Sequence, residues 1–210
     1  MATLNFIKGT VNGRLGVFVG SSWKGKHYIK TFTPPGNPKT ADQVAVRSVF
    51  QHTAGFAKAI YEGVLKPYTF PVPQKMTAYN RMIQINKQMF DDKAWDPAKL
   101  KIFDGPLYNP GITSAVFNST PNDQGCEVSF KYSAGVDKTD LAVIFIYDED
   151  SGSVSFTMET RASGVIGINL PMITQFDKNK LHSYLVFVRP PVEGTGEQGL
   201  VSTTAYKKVT

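Results

Sequence analysis

From Ile112 to Tyr206 the chain repeats one pattern: a short β-prone run, then turn residues, then another run. The runs are Ile112–Asn118, Cys126–Ser133, Leu141–Asp148, Val154–Thr160, Val165–Leu170, His182–Arg189 and Gly199–Tyr206. β-Branched and aromatic side chains suit a pleated, half-buried surface, and these runs are short for helices. Several short strands at this spacing are the sequence appearance of an immunoglobulin- or fibronectin-like β-sandwich. In the sixth run Val186 and Val188 alternate with Leu185 and Phe187, so it is apolar on both faces. That predicts a central strand, partly covered on its second face. Cys126 is the only cysteine, so the inter-sheet cystine of antibody domains is excluded, although the sandwich is not.

The first hundred residues read differently. Gly9, Gly13, Gly16, Gly20 and Gly25 punctuate short β-prone runs. Leu15–Val19 and His27–Phe32 predict the arms of a β-hairpin, with turn chemistry between them at Gly20–Lys26. An isolated hairpin is marginal in water, so this one must pack on the helices that follow or on another chain. Thr33-Pro34-Pro35-Gly36-Asn37-Pro38 lacks three amide donors and predicts an extended connector. Thr40-Ala41-Asp42-Gln43 is a capping box that starts a helix. Its stripe is Val46, Val49, Phe50, Thr53, Phe56, Ala57, Ile60, Tyr61 and Val64, and Pro67 ends it. Gly55, in the middle, costs up to about 1 kcal/mol relative to Ala, which suggests a close approach by another backbone. Tyr68 to Pro73 is a second connector. Residues 75–90 predict a second helix with Met76, Tyr79, Met82, Ile83, Met89 and Phe90 along one face. Such a stripe suits either a core or an adaptable partner groove. The fold class predicted is α+β: a basic hairpin-plus-helices region at 1–100 and a β-sandwich at 111–210.

Charge follows the same division. The formal net charge is +6, yet residues 1–100 hold 14 Lys+Arg against 5 Asp+Glu, and residues 101–210 hold 9 against 12. A basic region attracts polyanions: nucleic acid, an acidic membrane face or an acidic protein. No apolar run approaches the ~20 residues of a membrane span. Met1–Lys8 lacks the apolar stretch of a secretory signal, so neither membrane nor secretion is expected.

Catalytic constellations are not evident. His27, His52 and His182 lie far apart, and no pair has metal-ligand spacing. Nothing near Cys126 favours a thiolate. Gly194-Thr195-Gly196-Glu197-Gln198-Gly199 has the form of a dinucleotide fingerprint. It follows Pro190-Pro191 and precedes a strand-like run, so it reads as a loop. Asp148-Glu149-Asp150, followed by Ser151-Gly152, reads as a solvated turn. The expectation is a non-enzymatic protein without cofactor or metal.

The most suggestive cluster is Trp23-Lys24-Gly25-Lys26-His27-Tyr28 with Lys30 and Phe32. In a strand Lys26, Tyr28, Lys30 and Phe32 share one face, while His27, Ile29 and Thr31 share the other. Cations interleaved with rings suit a single-stranded nucleic acid. They also suit a protein interface, where aromatics, Met and Arg are enriched, or an edge protected by lysines. The candidate contact residues are Trp23, Lys24, Lys26, Tyr28, Lys30, Phe32, Arg47 and Met82, for protein or nucleic acid.

Further motifs carry a resemblance. Gly9-x3-Gly13-x2-Gly16-Val17 is followed by Gly20-x2-Trp23-Lys24-Gly25-x2-Tyr28, then by Asn37-Pro38-x-Thr40, Gln43, Arg47 and Phe50. Over these fifty-odd residues the chain resembles an uncharacterised family found in Bacteroides-type genomes, their prophages and crAss-like phages. Members share the Gly-rich hairpin, the Asn-Pro-x-Thr helix start and a β-sandwich-like second half. The resemblance implies a structural protein of a phage particle, in a tail, connector or head-accessory assembly. Such a protein is made in the host cytoplasm and ends in the virion. It forms homo-oligomers and contacts other virion proteins, and no catalytic residues carry over. The alternatives are a nucleic-acid-binding protein that uses the basic half and a surface or carbohydrate-binding module.

Overall fold

The computed structural model of the chain describes residues 3–5, 10–34, 36–68, 76–120, 123–131, 140–170, 176–190 and 199–210. Pro35, most of the second proline connector and the Gly194–Gln198 part of the glycine run lie outside the described residues, as does most of Met1–Lys8. The chain divides into two compact units, residues 1–40 and residues 41–210. This differs from the division expected at 100–111, because the helices share a core with the strands that follow them.

The first unit is a four-stranded antiparallel meander, β1 (Thr3–Asn5), β2 (Thr10–Leu15), β3 (Phe18–Trp23) and β4 (Lys26–Thr31), in the order β1-β2-β3-β4. The expected hairpin is therefore half of a larger sheet, and its turn is shorter than Gly20–Lys26. Trp23 pairs with Lys26, so Lys24 and Gly25 alone connect the strands. Their φ values of 48° and 79° supply the two left-handed positions of a type I′ turn. Leu15 pairs with Phe18 across Gly16-Val17, and Gly16 at φ 60° provides the positive φ of that connection.

In the second unit, α1 (Ala41–Ile60) begins directly after Thr40, as the capping box predicts, and buries Val49, Thr53, Phe56, Ala57 and Ile60. It runs into a π-helical turn, Tyr61–Leu65, where the Lys66 N–H donates to the Tyr61 carbonyl at 2.9 Å. The wider turn keeps both Val64 and Leu65 buried. The close approach expected at Gly55 does not occur among the described residues, since nothing beyond the local backbone of its own helix lies within 4 Å of the missing Cβ. It occurs one element later, at Gly63, where the ring of Phe156 fills the space a Cβ would take.

The second predicted helix is two, α2 (Ala78–Ile85) and α3 (Lys87–Asp91). Thr77 caps α2, accepting from the Asn80 N–H at 3.2 Å. The break falls at Asn86, which is 2% exposed. Its amide donates to the Met82 and Lys101 carbonyls at 2.8 and 2.7 Å and accepts from the Lys101 N–H at 2.8 Å. These bonds satisfy a buried polar side chain that interrupts the helix and tie it to the following segment.

Among the described residues eight strands follow: β5 (Ile112–Thr120), β6 (Asp123–Phe130), β7 (Leu141–Asp148), β8 (Val154–Thr160), β9 (Val165–Asn169), β10 (Leu181–Arg189), β11 (Leu200–Val201) and β12 (Ala205–Lys208). One sheet has the order β11-β10-β7-β8, with β12 also pairing β10, and the other has the order β5-β6-β9. Ala142, Ile144, Ile146, Leu185 and Phe187 meet Ala115, Cys126, Val128, Phe130, Ile166 and Ile168 in a core between the two sheets. The alternate residues Val143, Phe145, Tyr147, Tyr184, Val186 and Val188 meet Phe56, Ile60, Met82 and Met89 in a second core under the helices. β7 and β10 are thus buried on both faces, which is why Leu185–Val188 of β10 is apolar at successive positions. The fold is α+β.

Candidate docking surface

Strand register assigns the faces of the amino-terminal sheet. Arg14 pairs with Val19 and Val19 with Lys30; Ser21 pairs with Tyr28, and Trp23 with Lys26. Directly opposed residues share a face, so Arg14, Trp23, Lys26, Tyr28 and Lys30 lie together. Arg14 was not among the candidates. Its guanidinium sits 3.8 Å from the centroid of the Phe32 ring, and its Nε donates to the Gly16 carbonyl at 3.0 Å. Phe32 is therefore partly covered from within. Lys24, in the turn, approaches the Trp23 ring at 5.8 Å. Trp23 and Tyr28 are 67% and 46% exposed.

The opposite face is apolar. Leu15 pairs with Phe18, and Ile29 follows beside Gly20 and Gly13. Leu15, Phe18 and Ile29 are 52%, 51% and 63% exposed. Among the described side chains of this unit only Gly20 is buried. A sheet needs one covered face to be stable alone, and this one has large apolar groups in water on both. Ile29 shares its strand face with His27 and Thr31, and Phe18 stands between Val17 and Val19, so no alternation of apolar and polar residues marks this face in the sequence. Only the register, which sets Leu15 opposite Phe18 and Gly20 opposite Ile29, gathers these side chains on one side.

Charge concentrates in the same unit. Six of the 23 Lys+Arg lie in residues 1–40, and the first acidic residue of the chain is Asp42. Residues 41–210 then carry 17 cations and all 17 acids, so the whole formal charge of +6 belongs to the meander unit.

Two candidates lie elsewhere. Arg47 is on the exposed side of α1, in the second unit. Met82 is 1% exposed and packs in the core beneath the helices, so it is corrected from contact residue to core residue. Trp95 is half-buried in the second unit, stacked on His52 at 5.0 Å.

The remaining reactive groups have local structural partners. His52 Nδ1 lies 3.2 Å from the Tyr147 hydroxyl, and His182 Nδ1 lies 3.0 Å from the Tyr206 hydroxyl. Cys126 is buried, and desolvation pushes its thiol up to about 12. Asp148 folds its own turn: one carboxylate oxygen accepts from the Asp150 N–H at 3.3 Å, the other from the Ser151 hydroxyl at 2.6 Å. Asp140 and Arg161, both fully buried, pair at 3.4 Å. Arg189 completes this bridge, its Nε donating to Asp140 at 2.7 Å, and the Arg161 guanidinium stacks 3.9 Å over the Phe187 ring.

No curated protein matches the chain. A family of unknown function, DUF6266, matches residues 10–195, from the second strand of the meander to beyond the last residue of β10. That match spans both units and most of the sequence, and the chain belongs to the DUF6266 family.

Proposed function

We propose that the protein is a non-enzymatic structural component that works by association, with the amino-terminal sheet supplying contacts to other copies. The observation that carries this is the sheet with the exposed apolar side chains Leu15, Phe18 and Ile29, in which no large side chain is buried among those described. Burying such side chains on a neighbour contributes on the order of 1 kcal/mol each, given that about half of each is already covered. The second unit serves as a spacer. We read its two sheets as a fibronectin-like sandwich, because the fourth strand, β8, lies beside the third, β7, rather than in the sheet of the fifth, β9. The setting we propose is a phage-derived particle, on the likeness of the glycine-punctuated meander and the Asn37-Pro38-x-Thr40 helix start to phage-associated chains.

Light scattering on the purified chain tests the association. The wild type is expected at a multiple of its 23.1 kDa mass at tens of micromolar. Phe18→Ser with Ile29→Ser is expected to weaken self-association by about tenfold or more per site while leaving the fold intact, since both side chains are exposed. A monomeric wild type, or a double variant that assembles normally, removes the reading.

A further inference from the structure

We propose that the other face of the meander, bearing Arg14, Trp23, Lys26, Tyr28 and Lys30, binds single-stranded nucleic acid. This inference rests on the face opposite the apolar one and does not depend on self-association. Three observations carry it. The register brings three cations and two rings onto one side of three adjacent strands. Both rings are open to solvent. The unit that holds them contains no carboxylate side chain at all, so its cations have no internal counter-charge.

The chemistry selects among polyanions. Residues two apart on a strand are separated by about 6.4–6.8 Å, and neighbouring strands by about 4.8 Å. Cations and flat rings therefore alternate at short, regular steps. An acidic protein segment would match the cations, but it offers no regular series of flat faces to stack on the two rings. A duplex keeps its base faces stacked inside and offers only phosphates. A single strand presents phosphates and bare base faces together, and bases stack on aromatics displayed by a sheet. A second copy of the chain is the wrong partner for this face, because it brings like charge against like. The second unit of another copy, formally neutral, offers no complementary excess.

The test uses the full chain and a fluorescein-labelled oligothymidylate of about 20 nucleotides, titrated between about 50 and 300 mM salt. Binding is expected to weaken with salt at a log–log slope of about −2 to −3, corresponding to three or four phosphates neutralised at about 0.7 each. Lys26→Gln and Lys30→Gln should each flatten the slope by about 0.7. The chain has two tryptophans, and Trp95 is half-buried in the other unit, so stacking should quench the exposed Trp23. Trp23→Ala and Tyr28→Ala should each weaken binding about ten- to a hundredfold, and Trp23→Phe should recover most of the loss. No binding at the lowest salt overturns the proposal, as does a Trp23→Ala variant that binds like the wild type. Competition by polyglutamate equal to that by unlabelled oligothymidylate, with Trp23 fluorescence unmoved, also overturns it and assigns the face to an acidic protein.

Discussion

His182 is 6% exposed, with Tyr206 on one ring nitrogen and Glu149 3.5 Å from the other. Burial lowers its affinity for a proton; Glu149 and Asp96 act in the opposite sense, and Lys208 acts with burial. The folded ring is therefore harder to protonate than the unfolded one, which titrates near 6.5. Stability from this residue is fully present above about pH 6.5 and is lost as pH falls below it, because the unfolded chain then binds the proton first. Melting temperature should fall between about pH 7.5 and pH 5.5, and His182→Gln should show a shallower fall. An unchanged profile in that variant would assign the acid sensitivity to other groups. The Asp140 bridge is of the same scale. Its partners stand 21 and 49 residues away along the chain, so spacing carries no trace of it. One carboxylate between two guanidinium groups is an arrangement that only the meeting of β7, the turn after β8 and the end of β10 creates.

At the scale of elements, the two glycines of the first helical segment separate propensity from packing. Gly55 is exposed and has open space where a side chain would go. Gly55→Ala should stabilise the protein by about 0.5–1 kcal/mol, the ordinary helix gain. Gly63 faces the Phe156 ring, so Gly63→Ala should destabilise by about 1–3 kcal/mol despite the same propensity gain. Urea unfolding midpoints of the two variants should move in opposite directions. The start of α1 was legible because capping is local: Thr40 lies one residue before it; α2 starts at Ala78 after the Thr77 cap, three residues later than the expected start at 75. The break at Asn86 was not, since an asparagine in a helical stripe reads as a weak helix residue until Lys101 is known to meet it. The β3–β4 turn was misread for a related reason. Type I′ turns are signalled by Asn-Gly or Asp-Gly, and here a lysine at φ 48° takes the first position.

For the whole molecule, among the described residues both cores are built from Val49 onward, and neither includes a residue of the meander unit. Residues 41–210 alone should therefore fold with an unfolding midpoint close to that of the full chain. That fragment has 17 cations against 17 acids and should lose both the self-association and the polyanion affinity. Circular dichroism with light scattering on the fragment decides this, and loss of cooperative unfolding would show that the meander contributes to the second unit's stability.

Backbone chemistry along the chain was enough to establish that prolines separate the meander from α1, that β10 is apolar on both faces and that Lys26, Tyr28 and Lys30 share a strand face. Each of these depends on residues within a few positions of one another. Tertiary structure alone decided that the helices join the strands that follow them, that Met82 is inside and that Arg14 and Lys30 flank Val19 on one face. Those outcomes depend on which faces meet, as when the Ile102 N–H donates to Thr204 Oγ1 at 2.8 Å across 102 residues. Burial free energy belongs to the pair of surfaces, and a sequence states only one surface at a time.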